Sequence, residues 1–443
     1  MKALAILSAL AASLFLQTVS WAQEPPDDAP GPGLVWTVSR CVQATLATHP
    51  DARDARLTLA QSRLKMMDAR AALLPSLTLD GAYISTSSRV GQPDFIAANG
   101  AREWLLQGNL SQVLFDPSLP PLARAGRADA EAAVHGEASV RRELALATIQ
   151  SYAQVLLSRQ AEAVLTSARD RAEILATQVE LLFHEGQKAR VDAAQSRLMA
   201  FTVQRQVSQA HGSVQSAEES LSILIGEKPL PPLAENLGEG DFPQKLPEGA
   251  DALETALVKR PEMASAAATQ RAAKERWIAA QRATWPKVKG IVTWGWDTPQ
   301  RPTWALRGLQ AGLFLSMPLF TGGTLQREAA SLEMDLRKAE DSAERISRQI
   351  RWEVAQALVA RRTALEQKEI SQKALEMARQ VAEMSRTGFS EGTLSAMEAT
   401  AAEKALLQAR LEDAQAVIQA ELSYWTCAKA LGLPLPGTEQ EEP

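Results

Sequence analysis

The chain has little of the chemistry on which enzymes and metalloproteins depend. It contains two cysteines and four histidines in 443 residues, and they are too scattered to match the ligand spacing of a metal site. No Ser/His/Asp set and no glycine-rich phosphate loop occurs at a convincing spacing. These absences argue against an enzyme and against a bound metal or cofactor.

Strong net charge, abundant aromatic residues and long apolar runs are also missing. The formal net charge is −5, which does not favour binding to nucleic acid through phosphate neutralisation. Aromatic residues make up 5% and charged residues 22% of the chain, a balance that favours long, surface-rich helices over one large core. After residue 22 no apolar run reaches the roughly 18 residues of a membrane helix, so passage through a bilayer would need strands.

The first residues have the composition of a secretory signal peptide. Met1-Lys2 provides a short positive start, an apolar stretch follows, and Ser20-Trp21-Ala22 offers small residues at the positions that signal peptidase reads. Residues 1–22 are therefore predicted to be a signal peptide. The polar, proline-containing segment that follows predicts a disordered tail over 23–38.

The rest of the chain is a duplication. Two pairs of prolines are 211 residues apart: Pro50 and Pro261 (261 − 50), and Pro75 and Pro286 (286 − 75). Two later pairs are 206 residues apart: Phe183 and Phe389 (389 − 183), and Gly186 and Gly392 (392 − 186). A repeat of about 200 residues is too long for a solenoid unit. We expect the function to lie in what two similar halves, 39–226 and 251–433, build together. A connector is predicted over 227–250 and an irregular tail over 434–443.

Each half is predicted to begin with two helices and then to form a strand hairpin. Proline ends the second helix at Pro75 and at Pro286. Beyond each proline, apolar residues alternate with polar ones, which predicts hairpins over 76–114 and 287–317. The strands are about 10 residues long, enough to cross a bilayer at a tilt. Two ordinary soluble hairpins are the alternative.

Four aromatic side chains lie toward the loop-side ends of these strands. They are Tyr83, Trp104, Trp294 and Trp296. Tyrosine and tryptophan are enriched at bilayer surfaces because their rings are amphipathic. The four residues are therefore predicted to be the interfacial aromatics of a barrel.

Each hairpin leads into a very long helix. No glycine or proline interrupts residues 324–387, which predicts about 96 Å of helix at about 1.5 Å per residue. The counterpart in the first half is predicted from about Leu122 to Leu182. Both helices end at a glycine corner, and the chain then returns in a second helix. Alanine and leucine at steps of three and four residues predict coiled-coil packing.

Four strands are too few to close a membrane barrel within one chain. The smallest such barrels need about 8 strands, and an open sheet edge in lipid leaves backbone groups unpaired at several kcal/mol each. Three copies would supply 12 strands, and cyclic symmetry would close the sheet. The predicted fold class is thus mainly α with membrane β, a trimeric 12-strand barrel continued by a long α-helical coiled-coil barrel. The strand count does not exclude two or four copies.

The two cysteines stand near opposite ends of the duplicated region. Cys41 lies near the start of the first half, and Cys427 lies near the end of the second. One interpretation is a disulfide that ties the ends together in an oxidising compartment. The alternative is that both are small buried residues.

Taken in order, these features resemble the outer-membrane efflux protein family typified by TolC. The residues that carry the resemblance are Leu74-Pro75, Trp285-Pro286, the segment 317–323 (Met-Pro-Leu-Phe-Thr-Gly-Gly), its counterpart 113–116 (Val-Leu-Phe-Asp), and the Phe-x-x-Gly corners at 183–186 and 389–392. The resemblance covers about Val35 to Pro434. It implies a homotrimeric channel-tunnel whose barrel contacts lipid in the outer membrane and whose helices hang into the periplasm.

The same resemblance implies partners. They are a periplasmic adaptor (membrane fusion) protein and an inner-membrane pump of the RND or ABC type. The chain would then be the passive exit duct of a tripartite efflux or type I secretion system. A periplasmic adaptor or coiled-coil scaffold is the alternative function, although an adaptor would carry one hairpin between flanking β-domains. The cargo, whether drug, metal ion or protein, cannot be inferred from the residues.

The resemblance also implies roles for residues near the two corners. Glu398 stands six residues after Gly392 and matches the family's first gate acid, whereas Ala401 occupies the position of a second acid. Asp192 stands at the same distance from Gly186. Three symmetry-related carboxylates around a narrow pore would concentrate negative potential. The alternative is that both acids only stabilise helix N-termini.

The corner glycines themselves are implied to be the tips on which adaptor helices dock. Gly186 and Gly392 would let two backbones approach closely and would adopt positive φ angles. Plain turn chemistry is the alternative, because such a turn needs glycine in any case.

Overall fold

The computed structural model describes residues 35–85, 102–237, 246–247, 249–297 and 306–438. The predicted signal peptide and most of the predicted tail lie outside these ranges. In chain order the elements are α1 (Val38–Thr48), α2 (Pro50–Ala71), β1 (Ser76–Ser85), β2 (Arg102–Phe115), α3 (Leu119–His184), α4 (Arg190–Ile225), α5 (Gly249–Lys259), α6 (Pro261–Arg282), β3 (Lys287–Asp297), β4 (Leu306–Ser316), α7 (Thr324–Ser390) and α8 (Ala396–Ala430). The predicted duplication of two helices, a hairpin and a long helical pair is confirmed.

Proline determines where the shorter helices begin and end. The second helix of each half begins with its proline, whose missing N–H costs nothing in the first turn. The sequence predicts that α2 continues up to Pro75, but the helix ends at Ala71. The amides of Leu73 and Leu74 instead bond to carbonyls three residues back, because a residue before proline is disfavoured in the α conformation.

The strands form one antiparallel sheet in the order β1-β2-β3-β4. Both predicted hairpins are present, and β2 also pairs with β3, so that the two halves share a single sheet. Glycines at two positions allow β2 and β3 to approach each other closely. A Cβ on Gly108 would lie 2.5 Å from the Trp294 ring, and a Cβ on Gly295 would lie 2.2 Å from the carbonyl oxygen of Leu106. A side chain at Gly295 would collide with the backbone of β2, whereas one at Gly108 would displace the Trp294 ring.

Two long helices run the length of the helical region. α3 has 66 residues and α7 has 67, so each is about 100 Å long. Near the sheet, α2 packs on α3, and α6 lies between α3 and α7. Farther away, α4 packs on α3, α8 packs on α7, and α3 contacts α8. Among the described helices, none combines the length and the apolar character needed to cross a bilayer.

The largest apolar cluster forms where the helices near the sheet meet the helices that lie farther from it. The predicted disordered tail extended to residue 38, whereas the structure buries Trp36 in this cluster. Trp36 N–H donates to the carbonyl of Pro232 in the connector at 2.7 Å. The Tyr152 hydroxyl of α3 donates to the carbonyl of Ala234 at 2.7 Å. The described start of the connector, residues 227–237, is therefore packed against the first half together with Trp36.

The disulfide interpretation is wrong, because both cysteines are free and buried. Cys41 belongs to the cluster around α1, whereas Cys427 belongs to a separate cluster between α5, α7 and α8. The Cys427 thiol donates to the carbonyl of Ala357 at 3.0 Å. Burial raises the pKa of Cys41 to about 12 and that of Cys427 to about 11, so both thiols stay protonated. The two residues act as small apolar side chains.

Candidate channel wall and gate

The sheet has one apolar and one largely polar face. Paired residues of neighbouring strands point to the same side, so the register gathers the apolar positions of all four strands on one surface. These positions include Leu77, Leu79, Tyr83, Trp104, Leu106, Leu110, Val292, Trp294, Trp296, Leu309, Leu313 and Leu315. Leu79, Leu309 and Leu313 are each 74% exposed. A continuous exposed apolar surface of this kind marks an interface with lipid or protein.

The four predicted interfacial aromatics all lie on this apolar face, at the end of the sheet away from the helices. Tyr83 pairs with Trp104, and their ring centroids are 4.6 Å apart with the planes tilted by 43°. Trp294 covers Gly108, and Trp296 pairs with Leu106. By the register the four side chains occupy three successive rows of this face, first Tyr83 with Trp104, then Trp296, then Trp294. Their contact with a bilayer surface stays a prediction.

The opposite face carries a hydrogen-bonded chain of side chains across three strands. The Asn109 amide nitrogen donates to the Asp80 carboxylate at 2.6 Å, and the Thr78 hydroxyl donates to the same oxygen at 3.2 Å. The Thr293 hydroxyl donates to the Asn109 amide oxygen at 2.6 Å. Phe314 on β4 interrupts this face with an exposed ring. Ile84, Leu105, Val113 and Ile291 also lie on this face, so it is mixed, with its polar residues gathered around Asn109.

The two corners at the far ends of the long helices have the same backbone. Gly186 has φ = 74° and Gly392 has φ = 76°, which L-residues rarely adopt. At the second corner, the amides of Thr393 and Leu394 bond back to the carbonyl of Gly388. A Cβ on either corner glycine would meet nothing within 4 Å. The turn therefore needs glycine, and the space around both corners is open; docking there stays a prediction.

The two corners pack together through a small apolar cluster. Phe389 of α7 is 8% exposed and Val179 of α3 is fully buried. Ala396 and Ala399 of α8 complete the cluster. Lys188 of the first corner lies over the Phe389 ring, with Nζ 5.2 Å from the ring centroid. The helical tips of the two halves therefore form one unit.

The predicted gate acids sit at the beginning of the returning helices. Ser395 N–H and Oγ–H each donate to Glu398 Oε2 at 2.8 Å, and Glu398 N–H donates to Ser395 Oγ at 3.2 Å. This is a complete capping box. The hydrogen bonds from the Ser395 backbone and side chain lower the pKa of Glu398. Asp192 accepts one weaker bond, from Ala189 N–H at 3.3 Å. Within one chain both acids thus stabilise helix N-termini, and a gate role stays a prediction.

The sequence did not predict a groove that lies near the helical tips. It has a volume of about 680 Å³ and lies between α3 and the tip of α7. Glu403 of α8 bridges Arg171 of α3 at 3.3 Å and Arg386 of α7 at 2.5 Å at its edge. The three residues come from three helices. No local pattern in the sequence could have brought them together.

Comparisons with known proteins agree on the fold. A family model described as "Outer membrane efflux protein" matches residues 41–227 and 252–433. The structure of CusC superposes with a TM-score of 0.80 at 20% identity, covering 93% of this chain and 99% of that one. The CmeC outer membrane channel of Campylobacter jejuni gives 0.79 at 18% identity, covering 96% and 92%. The open state of the Neisseria gonorrhoeae MtrE channel gives 0.76 at 18% identity, covering 91% of each chain. No curated protein matches the chain by sequence at a significant level.

Proposed function

Because the chain belongs to the outer membrane efflux protein family, we propose that it is the passive exit duct of a tripartite efflux or type I secretion system. The family consists of outer-membrane channels and not of enzymes. In this duct, substrates pass from the periplasm to the exterior. The choice of cargo then rests with the pump, because a passive duct only conducts what the pump delivers to it.

The two-faced sheet with two free edges is the observation that carries this proposal. In the described part of the chain, β1 and β4 each pair on one side only. A strand edge in lipid must be paired, because no water is present to satisfy its backbone groups. We propose that β4 of one copy pairs with β1 of the next, and that three copies close a 12-strand barrel. Its apolar face contacts outer-membrane lipid, and its polar face lines the lumen.

Exposed apolar side chains along the helices support the same assembly. They include Phe201, Ile223, Trp352, Ile370 and Met384, each more than 60% exposed. An isolated helical pair in water would not present so many apolar groups. Neighbouring copies around a symmetry axis would cover them and would continue the barrel as a helical tunnel. CusC, CmeC and MtrE, which share the fold, are channel proteins by name and support this arrangement.

The helical tips are the proposed meeting point with the partners. We place a periplasmic adaptor on the corners at Gly186 and Gly392, where the surrounding space is open. An inner-membrane pump of the RND or ABC type would supply the energy. Glu398 and, more weakly, Asp192 would ring the periplasmic opening as gate acids. The proposed segments 1–22, 39–226, 227–250 and 251–433 would then be signal peptide, first repeat, connector and second repeat.

Three measurements on the purified full-length protein test the proposal. Native mass spectrometry in detergent should give three subunits, membrane fractionation should place the protein in the outer membrane, and planar bilayers should show ion conductance. A single subunit without conductance would contradict the duct. A protein found in the soluble periplasm or the inner membrane would instead support an adaptor or scaffold.

A matched pair of variants tests the sheet itself. Gly108→Leu should abolish the trimer, because the new side chain would collide with the Trp294 ring that lies within 2.5 Å of a Cβ at this position. Gly136→Ala is the control, because a Cβ there meets nothing within 4 Å. A trimer that survives Gly108→Leu would show that the β2–β3 pairing is not needed for assembly.

A further inference from the structure

The two halves of the chain meet along a contact that involves both sheet and helices. In the sheet, β2 of the first half pairs with β3 of the second. Between the helices, Arg124 of α3 bonds to Glu275 of α6 at 2.9 Å, and Arg271 of α6 bonds to Glu131 of α3 at 2.7 Å. We call this contact, β2 and α3 with β3 and α6, the inner joint.

The counterparts of these elements at the outer sides of the chain lack a neighbour. Helix α6 lies between α3 and α7 and buries seven of its residues, whereas its counterpart α2 packs on α3 and buries Ala52 alone. Leu57 of α2 is 56% exposed, although its counterpart Ala268 in α6 is fully buried. After β4, Phe320 is 90% exposed, whereas its counterpart Phe115, beside β3, is 51% exposed. The free surfaces are thus β1 with α2 and β4 with α7.

The duplication aligns these free surfaces with the inner joint. β1 and α2 correspond to β3 and α6 at the offset of 211 residues that separates the two pairs of prolines. β4 and α7 correspond to β2 and α3 at an offset of 205, because α3 begins at Leu119 and α7 at Thr324 (324 − 119). Ser111 and Ser316 give the same offset (316 − 111), since each pairs with the first residue of the preceding strand.

The side chains of the two free surfaces have changed together. α3 and α6 are joined by three ion pairs, which are Arg124 with Glu275, Glu131 with Arg271, and Asp129 with Arg276. The counterparts of these pairs are Ala329 with Leu64, Leu336 with Ala60, and Met334 with Lys65. All three residues on α7 are apolar, and so are two of the three on α2. Lysine at the third position can lay its apolar stem along a methionine. Because no acid remains on either surface at these positions, the two surfaces match each other.

We propose that β4 and α7 of one copy receive β1 and α2 of the next in the geometry of the inner joint. This inference rests on the proposed barrel and specifies how its copies meet. The β2–β3 register, transferred by the two offsets, places Ser316 opposite Asp80 and Phe314 opposite Ala82. The apolar faces of β1 and β4 then lie on the same side, whereas a slip by one residue would put them on opposite sides.

Cysteine cross-linking of the purified trimer tests the register. Phe314→Cys with Ala82→Cys should form a disulfide under mild oxidation, because directly opposite residues have Cα atoms about 4.5–5.5 Å apart. Phe314→Cys with Asp80→Cys or with Ile84→Cys is the matched control, since these residues would lie about 7–8 Å apart. We expect about tenfold more cross-linking in the first variant than in either control.

Only a disulfide between copies can form in this experiment. Within one chain, β1 and β4 are three strand spacings apart, about 14 Å, which no disulfide spans. The products should therefore be covalent dimers and trimers on a non-reducing gel. The two native thiols are buried and should not react. Ser316→Cys with Asp80→Cys is a second pair in the same register.

A charge exchange tests the contact between α2 and α7. Leu64→Glu should lower the fraction of trimer by about tenfold or more, because an unpaired charge would be buried against Ala329. Adding Ala329→Arg should restore the trimer, since it recreates an ion pair of the inner joint. Thr58→Glu is the control, because its counterpart Thr269 in α6 is exposed. Native mass spectrometry of the detergent-solubilised proteins measures all four.

The outcomes separate the joint from the duct. Cross-linking that favours either control overturns the register, and a trimer in which no pair reacts overturns the joint. A trimer that survives Leu64→Glu, or that Ala329→Arg does not restore, overturns the contact between α2 and α7. In each of these cases the duct stands, because the unmodified protein is still a trimer. If the unmodified protein forms no trimer, the proposed duct fails and the joint fails with it.

Discussion

The two helical tips are copies of one another in backbone but not in side-chain support. Both turn at a glycine with a positive φ angle, and both return in a helix with an acid six residues later. The second tip has Ser395 and Glu398 in a complete capping box, whereas the first has Ala189, which offers no side-chain acceptor. Phe389 is buried between the tips, whereas its counterpart Phe183 is half-buried.

This difference indicates that the second tip is the more firmly held of the two. A duplicated chain keeps the glycine that the turn requires, because no other residue adopts that backbone without strain. Side chains that only adjust stability are free to diverge. If one tip must move when the channel opens, we expect the weakly capped first tip to open locally at lower cost.

The largest effect on local stability should come from removing the buried ring of Phe389. Phe389→Ala removes a side chain that is 8% exposed, and we expect it to lower the free energy of local unfolding at the tips by about 3 kcal/mol. Phe183→Ala is the matched change at the half-buried counterpart and should cost clearly less. Amide hydrogen exchange near the corners measures both, in α7 and α8 for Phe389→Ala and in α3 and α4 for Phe183→Ala. Equal effects would show that the two tips are supported alike.

Substitution of Gly392, the glycine of the second corner, should have the next largest effect. Gly392→Ala and Gly392→Trp both force an L-residue to φ near 76°, at a cost of about 1–2 kcal/mol. Only the tryptophan adds bulk to the open space around the corner. If adaptor helices dock there, Gly392→Trp should weaken adaptor binding much more than Gly392→Ala, while native mass spectrometry still shows the trimer. Equal binding by the two variants would remove Gly392 from the docking site.

A smaller effect is expected from removing the helix cap at the second tip and from adding one at the first. Ser395→Ala removes the acceptor for Glu398 N–H, and we expect local stability of α8 to fall by about 1 kcal/mol. Ala189→Ser supplies the missing acceptor at the first tip, where the N-cap residue already has an extended backbone, and should add up to about 1 kcal/mol. Hydrogen exchange at the start of each helix is the measurement. No gain at residue 189 would mean that the first tip is held by other contacts.

Neutralising Glu398 should change stability least and tests the gate most directly. Its folded pKa lies below the ordinary value of 4.5, so its stabilisation is complete above about pH 4.5 and is lost as the pH falls through the lower folded value. Glu398→Gln still accepts the Ser395 bonds and should remove that pH dependence of local exchange.

The same variant separates the cap from the gate in planar bilayers. A gate acid predicts altered cation selectivity or resting leak in Glu398→Gln even though the cap is retained. If conductance and selectivity are unchanged, Glu398 is a helix cap only.

Much of the fold could be predicted from local pattern. Pro50 and Pro261 mark where helices begin, the alternation after Pro75 and Pro286 marks the strands, and the helix from Thr324 is continuous because nothing in it breaks a helix. These signals are local, since each depends on a residue's own backbone preference or on the period of its neighbours. The same signals did not show that Trp36 would fold back onto the connector.

The sequence by itself determined the duplicated order of helices and strands, the two-sided character of every strand and the glycine corners, because these follow from backbone preference and periodicity along the chain. Only the tertiary structure decided that β2 pairs with β3, that Cys41 and Cys427 lie in separate clusters, and that Asp80 joins Asn109 and Thr293. The β2–β3 pairing and the Asp80 hydrogen bonds join separate strands, and the separation of the cysteines depends on which helices surround each, so all three follow from the packing of whole elements.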